Sequence, residues 1–232
     1  MSREQVWQQM AKEYPAFVQE FDRFDNHEAI REIILGGAPA WAGVHARFRP
    51  FPGAKVLDIG SNVGVYALFC AIHGAHVTAV DPHPIFSYDL DALAKEYKLP
   101  INVVHKAIGA KSGYDLFRVH AKNGSMQTDG VKWSPADAQG SIKVEVLSLE
   151  EVLGSQEWDM VKVDIEGSEF EIFPEAAPYA LHLIKFMFIE FHPWATDKIY
   201  AKTIELLQNN FNFEGTSIGH HGRWDGAYCT RR

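Results

Sequence analysis

Val56-Leu57-Asp58-Ile59-Gly60-Ser61-Asn62-Val63-Gly64 is an apolar run that ends in an acid and a glycine. Directly after it, Val65, Leu68, Phe69 and Ile72 recur at i, i+3, i+4 and i+7, the spacing of one helix face. The stretch therefore reads as strand, tight turn, helix. Glycines at 60 and 64 let the backbone turn sharply and come close to a ligand, and the unsatisfied N–H groups of the helix start face the same crevice. A nucleotide-like cofactor is expected there.

The residues around the turn separate the ligand classes. A dinucleotide turn reads GxGxxG and sets a pyrophosphate on the helix N-terminus. Here Asp58 precedes Gly60 by two positions and Asn62 follows it, and a carboxylate aimed at a pyrophosphate would repel it. It suits a cationic or amine-bearing ligand instead. No GxxxxGKS/T phosphate loop occurs in the chain. Downstream, His76-Val77-Thr78-Ala79-Val80-Asp81 is a second strand ending in an acid 21 positions after Gly60, where a carboxylate accepts hydrogen bonds from both ribose hydroxyls. The expected ligand is a nucleoside with a positive charge and no pyrophosphate, a description S-adenosylmethionine fits. An NAD-binding oxidoreductase shares the wound sheet and stands as the less favoured alternative.

DIGSNVG at 58–64 with the later Asp81-Pro82 resembles motif I and the following acidic strand end of class I S-adenosylmethionine-dependent methyltransferases. Val161-Lys162-Val163-Asp164-Ile165-Glu166-Gly167-Ser168-Glu169 resembles the (K)-(I/V)-D-(V/I)-E-G-x-E signature of the FkbM family, mostly O-methyltransferases of small molecules and sugars. The resemblance spans roughly residues 50 to 212, with the motifs in order. It implies that Asp58, Gly60, Ser61, Asn62, Gly64, Asp81, Pro82, Ala107 and Asp164 bind the cofactor, and that Asp164 and Glu166 face the methyl-transfer site. Family members often carry a polar residue such as Asn before the equivalent of Ala107, so Lys106 is a departure.

At 232 residues the chain suits one α/β domain with an extension rather than two domains. The division expected is an N-terminal helical cap and connector over 1–43 and a catalytic domain over 44–232. With 22% charged and 47% apolar residues the composition is that of a globular protein, which argues against extensive disorder. A net charge of −8 argues against a nucleic-acid backbone or an anionic membrane as partner. Cys70 and Cys229 form neither a disulfide framework nor a metal pattern. No signal core or membrane-length apolar run is visible, so the expectation is a cytoplasmic protein.

Along the chain, Trp7, Met10, Ala11, Tyr14, Phe17, Val18 and Phe21 keep helical spacing around Pro15, and a second helix is expected over Asn26 to Leu35. These helices would cap the substrate end, or serve as packing or homodimer surface. After Asp81 the pattern predicts a helix from Ile85 to Lys98, a strand from Ile101 to Ile108, and strands over Tyr114–Val119 and Ile142–Leu147. The 22 residues between them, His120 to Ser141, have no period and are expected to form a mobile lid. A capped helix begins after Ser148, Asp159–Ile165 is the fourth strand, and the nearly continuous apolar run Leu183–Phe191 is a central parallel strand. A helix over Asp197–Gln208 leads to a terminal hairpin of Phe211–Ile218 with Tyr228–Thr230. The fold class is α/β: a doubly wound, mainly parallel Rossmann-like methyltransferase sheet with an antiparallel C-terminal hairpin and an N-terminal helical cap.

Chemistry is expected at the ends of two neighbouring strands, where Asp164 and Glu166 follow the fourth and Glu190 and His192 the fifth. The expected reaction is methylation of a hydroxyl on a small acceptor, a sugar or a secondary metabolite, with N-methylation of a small amine as the alternative. His192, with the unperturbed pKa nearest neutrality, is assigned the general base. The four groups have the chemistry to hold magnesium or manganese as well, but a metal-free mechanism is favoured.

Overall fold

The computed structural model describes residues 47–232 apart from 63, 97, 121–125, 129–137, 177, 193, 194, 217, 220 and 221. The chain divides into two units, Met1–Arg49 and Pro50–Arg232, and the fold described here is that of the second. The helices expected over Val6–Phe24 and Asn26–Leu35 lie outside the described residues, as does most of the expected lid.

The opening stretch forms β1 (Lys55–Ile59), a turn, and α1 (Val65–Ile72). Gly64 is the residue before α1 and has φ 86; a Cβ there would lie 2.4 Å from Leu90, so the glycine lets α1 pack against the next helix. Then follow β2 (His76–Val80), α2 (Pro84–Glu96) and β3 (Ile101–Val104). The strand expected to run from Ile101 to Ile108 breaks at His105-Lys106. The backbone beyond it, β4 (Ala107–Gly109), leaves the first sheet for a second one.

That second sheet comprises β4, β5 (Gly113–His120), β6 (Met126–Thr128) and β7 (Ala138–Ser148), in the order β4-β7-β5-β6. The segment from His120 to Ser141, expected to be structureless, carries β6 paired with β5, and β7 begins at Ala138, four residues before the predicted strand. Short polar strands carry too little alternation to be seen in sequence. The rest of that segment lies outside the described residues.

Helix α3 (Leu149–Leu153) starts on a capping box in which Ser148 and Glu151 exchange side-chain and backbone hydrogen bonds. After it come β8 (Met160–Val163), α4 (Glu169–Ile172), a 3₁₀ turn at Phe173–Glu175, α5 (Pro178–Leu181), β9 (Phe186–Glu190), α6 (Asp197–Asn210), β10 (Phe211–Gly215) and β11 (Gly226–Arg231). Thr196 caps α6 by accepting from the Ile199 N–H.

The main sheet runs β10-β11-β9-β8-β1-β2-β3. Strands β9, β8, β1, β2 and β3 pair in parallel, and β11 inserts antiparallel between β9 and β10. The expected terminal hairpin is therefore a pair in which the last strand lies innermost. Leu57, Ile59, Val161, Val163, Met187 and Ile189 from the central strands pack with Phe173, Leu207 and Phe211 in one core. In these strands Asp58 and Lys162 are the fully buried charges, neighbours in the β1–β8 register.

Candidate functional site

A crevice with about 610 Å³ of empty space, partly open to solvent, lies where β1, β2 and β8 end. This is where ligands bind in an open parallel sheet. Gly60 and Asn62 from the β1 turn, Asp81 and Pro82 after β2, and Asp164, Glu166 and Ser168 after β8 supply its polar wall. Val80, Ala107, Ile108 and Phe117 supply an apolar wall at the β2 side, the last three from the second sheet, and Lys106 stands beside them, bonded to Glu145 at 2.7 Å. The family departure at Lys106 thus ends in an ion pair across to β7.

Asp81 is held by its neighbours. Its Oδ2 accepts the Asn62 N–H and its Oδ1 the His83 N–H, both at 2.8 Å. Each oxygen keeps further acceptor capacity, so the carboxylate is pre-oriented to receive two more hydroxyls. Loss of water pushes its pKa up to about 6, against the two N–H donors that favour the charge. The turn beside it is equally constrained: the N–H groups of Gly60 and Ser61 both donate to the Val80 carbonyl, and Asn62 sits at φ 51. A Cβ on Gly60 would lie 1.7 Å from the Asp164 carbonyl oxygen, so only glycine lets the β1 and β8 ends meet. An acid poised for a ribose diol, an apolar slot for a base and two carboxylates at the far side form a set that fits S-adenosylmethionine.

The structure places Asp58, Ser61 and Gly64 behind the crevice wall. Asp58 is 0% exposed, and the cation that meets it belongs to the protein: Lys162 Nζ lies 3.2 Å from Asp58 Oδ1 and donates to the Gly60 carbonyl at 2.9 Å. The same ammonium is 3.6 Å from Asp164 Oδ2. Burial pushes Asp58 upward and would discharge Lys162, but the charges of Asp58 and Asp164 outweigh burial and keep Lys162 protonated. Where the sequence leads one to expect a cationic ligand, the cation nearest Asp58 within the described residues is Lys162.

Asp164, Glu166, Glu190 and His192 do come together, with Glu169 from α4 as a fifth member. His192 Nε2 lies 3.6 Å from Glu166 and 3.9 Å from Asp164, while Nδ1 faces Glu169 Oε1 at 3.1 Å. Glu169 is itself fixed by the Ile165 N–H at 2.9 Å. Burial works against a charged imidazole, but the Glu169 hydrogen bond and three carboxylate charges prevail and raise His192 to about 10. The imidazolium form has no lone pair for a substrate proton. Glu190 is raised as well: burial and the Asp164 charge push it up to about 7, with His192 and Lys162 opposing.

One donor atom each from Asp164, Glu190 and His192 lies within 4.8 Å of the others, a span a divalent ion also fits. An ion would first have to displace the His192 proton. Glu166 has φ 56, a left-handed conformation that costs a long side chain energy and turns its carboxylate into the crevice.

Lys162 and Glu169 stand in the quoted signature but were assigned no role from sequence. The available signal was a lysine inside a strand expected to be buried, which requires a partner. Glu169 gave none, since an acid at a helix start is an ordinary feature.

Residues 58–214 match the methyltransferase FkbM domain. No curated protein sequence matches the chain. Among solved structures, the T. thermophilus 16S rRNA N2 G1207 methyltransferase, in complex with AdoMet and guanosine, is similar at 15% identity and TM-score 0.48, over 84% of this chain and 43% of that one. The chain thus spans less than half the length of that enzyme. The precorrin-6y C5,15-methyltransferase of Geobacter metallireducens GS-15 is similar at 11% identity and TM-score 0.43, over 81% of this chain and 84% of that one.

Proposed function

The chain belongs to the FkbM methyltransferase family, and from that premise we propose that this S-adenosylmethionine-dependent enzyme methylates a hydroxyl group of a small acceptor, a sugar or a secondary metabolite. The family removes the oxidoreductase alternative. When bound, the cofactor supplies an activated methyl on a sulfonium whose positive charge disappears on transfer. The protein's work is alignment and removal of the hydroxyl proton. Asp81 fixes the nucleoside end, and Asp164, at the meeting point of β1 and β8, stands beside the reacting centre.

The observation that carries the choice of a hydroxyl is Glu190, whose carboxylate has an oxygen within 4.8 Å of donor atoms of Asp164 and His192 and whose pKa burial pushes up to about 7. A base is most effective when its pKa lies near the working pH, and an oxygen acceptor must lose its proton whereas a neutral amine can attack without prior deprotonation. Glu190 takes the proton; the His192 imidazolium keeps Glu190 ionised and holds the neighbouring carboxylates in place. The net charge of −8 and the carboxylate-rich strand ends favour a small neutral acceptor over a nucleic acid.

The test is a product screen by mass spectrometry with isotope-labelled cofactor against pooled sugars, polyketides and amines. Methyl on oxygen is the expected product; methyl on nitrogen only, or on RNA, would replace this reading. With an acceptor in hand, Glu190→Gln is expected to lose roughly 10²–10⁴-fold in kcat with cofactor affinity retained. His192→Ala, by removing a cation that lowers the Glu190 pKa, is expected to move the acid limb of the rate profile to higher pH. Turnover should survive EDTA; activity lost to chelation and restored by magnesium would turn Asp164, Glu190 and His192 into ion ligands.

A further inference from the structure

Glu169 opens α4, a place where a long acid ordinarily reaches water, yet it is 0% exposed. Its Oε1 collects two donors, the Ile165 N–H at 2.9 Å and His192 Nδ1 at 3.1 Å. The first closes the turn after β8, which holds Glu166 at φ 56 and Gly167 at φ 109. The second comes from the end of β9, the strand beside β8 in the sheet. One buried oxygen thus joins the two strand ends that carry the candidate chemistry, while Oε2 receives no hydrogen bond.

A purely structural joint would need only an acceptor of that shape. A carboxylate taken out of water is costly unless a cation meets it, and among the described residues the group that can carry a positive charge against Glu169 is the His192 ring. A carboxylate only accepts, so the ring nitrogen facing it must carry the hydrogen. With Nδ1 fixed in this way, the opposite edge of the ring is aimed: Nε2 lies 3.6 Å from Glu166 and 3.9 Å from Asp164, both beyond hydrogen-bond length. A Glu190 oxygen stands within 4.8 Å of the ring's donor atom. The charges about the imidazole are therefore Glu169 from α4, Asp164 and Glu166 from the β8 end and Glu190 from β9, and their effect outweighs burial in raising His192.

We propose that Glu169 is the positioning residue of these strand ends: through Nδ1 it fixes which edge of the His192 ring faces the reacting groups, and so keeps a cationic N–H beside Asp164, Glu166 and Glu190. Glu169 itself touches neither cofactor nor acceptor and acts through His192. The placement of the ring stands apart from the choice of Glu190 as base; its consequence for turnover rests on that reading.

The ring nitrogens are followed by NMR in the full chain labelled with ¹⁵N at histidine, freed of metal by EDTA and without acceptor, the His192 signals being those lost in His192→Gln. In the wild type Nδ1 is expected to stay protonated from about pH 6 to about pH 9. Glu169→Gln, which keeps an acceptor for the Ile165 N–H and removes the charge, is expected to lower the His192 midpoint by about one to two pH units, the size of a lost charge-assisted hydrogen bond. Glu166→Gln, acting from the longer distance, is expected to lower it by less, and Glu169→Asp, which returns the charge on a shorter arm, to recover part of the shift. S-adenosylhomocysteine, titrated calorimetrically, is expected to bind Glu169→Gln as it binds the wild type. A wild-type ring with Nδ1 bare overturns the proposal without any variant. So does a Glu169→Gln midpoint equal to that of the wild type, or a Glu166→Gln shift as large. Loss of S-adenosylhomocysteine affinity in Glu169→Gln would make Glu169 a brace of the strand ends only, and overturns it as well. With the acceptor from the product screen, Glu169→Gln is expected to lose up to about a hundredfold in kcat at unchanged KM for the cofactor, and full kcat would remove the positioning role. Full activity of Glu190→Gln with the His192 shifts intact would overturn the base reading and leave the placement of the ring standing.

Discussion

Asp81 and His192 show how far a side chain's surroundings can move its chemistry. Asp81 loses water to the crevice wall and rises to about 6, although two backbone N–H groups favour its charge. Its ribose contacts need the ionised form, since protonation of the carboxyl removes acceptor capacity. The affinity for 5′-methylthioadenosine, which reports on the nucleoside end alone, is therefore expected to fall as the pH drops from 7 to 5. Asp81→Asn should bind more weakly, by about ten- to a hundredfold, and show no pH dependence in that range. A wild-type affinity that is flat from pH 5 to pH 7 would take Asp81 out of the ribose contact. His192 shows what a free amino acid's pKa leaves out: the sequence places Glu166 and His192 26 positions apart and Glu169 and His192 23 apart, and only the fold brings both acids to the imidazole, at 3.6 and 3.1 Å. Asp58 is the parallel case. Its position in the motif was readable, but its countercharge comes from a strand about a hundred residues later, and a pairing of that length leaves no local trace.

At the scale of elements, the turn between β1 and α1 is the part on which the site depends most. A methyl group on Gly60 would overlap the Asp164 carbonyl, so Gly60→Ala must separate β1 from β8 or twist the turn out of its φ of 76. It is expected to lower the melting temperature and abolish S-adenosylhomocysteine binding, and an alanine variant with native affinity would show that the close approach is dispensable. Ser148→Ala, which removes the reciprocal cap of α3 well away from the crevice, is expected to cost about 1 kcal/mol of stability and leave ligand affinity unchanged. Elements with strong periodicity or chemical punctuation were legible in the sequence: β1, α1, α2, the Ser148 cap, β9 and α6 lie close to their expected positions. The second sheet was not. Its strands β4 and β6 are three residues long, too short for an alternation to register, and the departure of β4 from the main sheet depends on a break at His105-Lys106 with no glycine or proline to mark it.

Across the molecule, the buried titratable groups of the site share one direction, and this sets how the ligand-free protein should respond to pH. Asp81, Glu190 and His192 all have folded pKa values above their ordinary ones: 3.8 to about 6, 4.5 to about 7, and 6.5 to about 10. A group raised on folding adds stability that is fully present below its unfolded pKa and is lost as the pH climbs through its folded pKa. The two acids thus weaken the fold progressively from about pH 4 to pH 7, because each must ionise away from water. His192 stabilises it up to about pH 6.5, then loses that contribution up to about pH 10. In the window from pH 7.5 to 8.5 Asp81 and Glu190 are largely ionised, Lys162 remains charged because its pKa is raised, and the buried Asp58, Cys70 and Cys229, also raised, can only act in the same sense as the imidazole. With one proton held by the folded state and not by the unfolded one, stability falls by about 1.4 kcal/mol per pH unit. For a chain of this size that corresponds to roughly 3–5 °C in melting temperature across the window. His192→Gln, though less stable overall because it strands the buried Glu169, is expected to flatten this limb. Calorimetric scans of the ligand-free protein at closely spaced pH values measure it directly, and a wild-type melting temperature that holds steady or rises from pH 7.5 to 8.5 would mean that His192 is neutral there, which would restore it as the candidate base in place of Glu190.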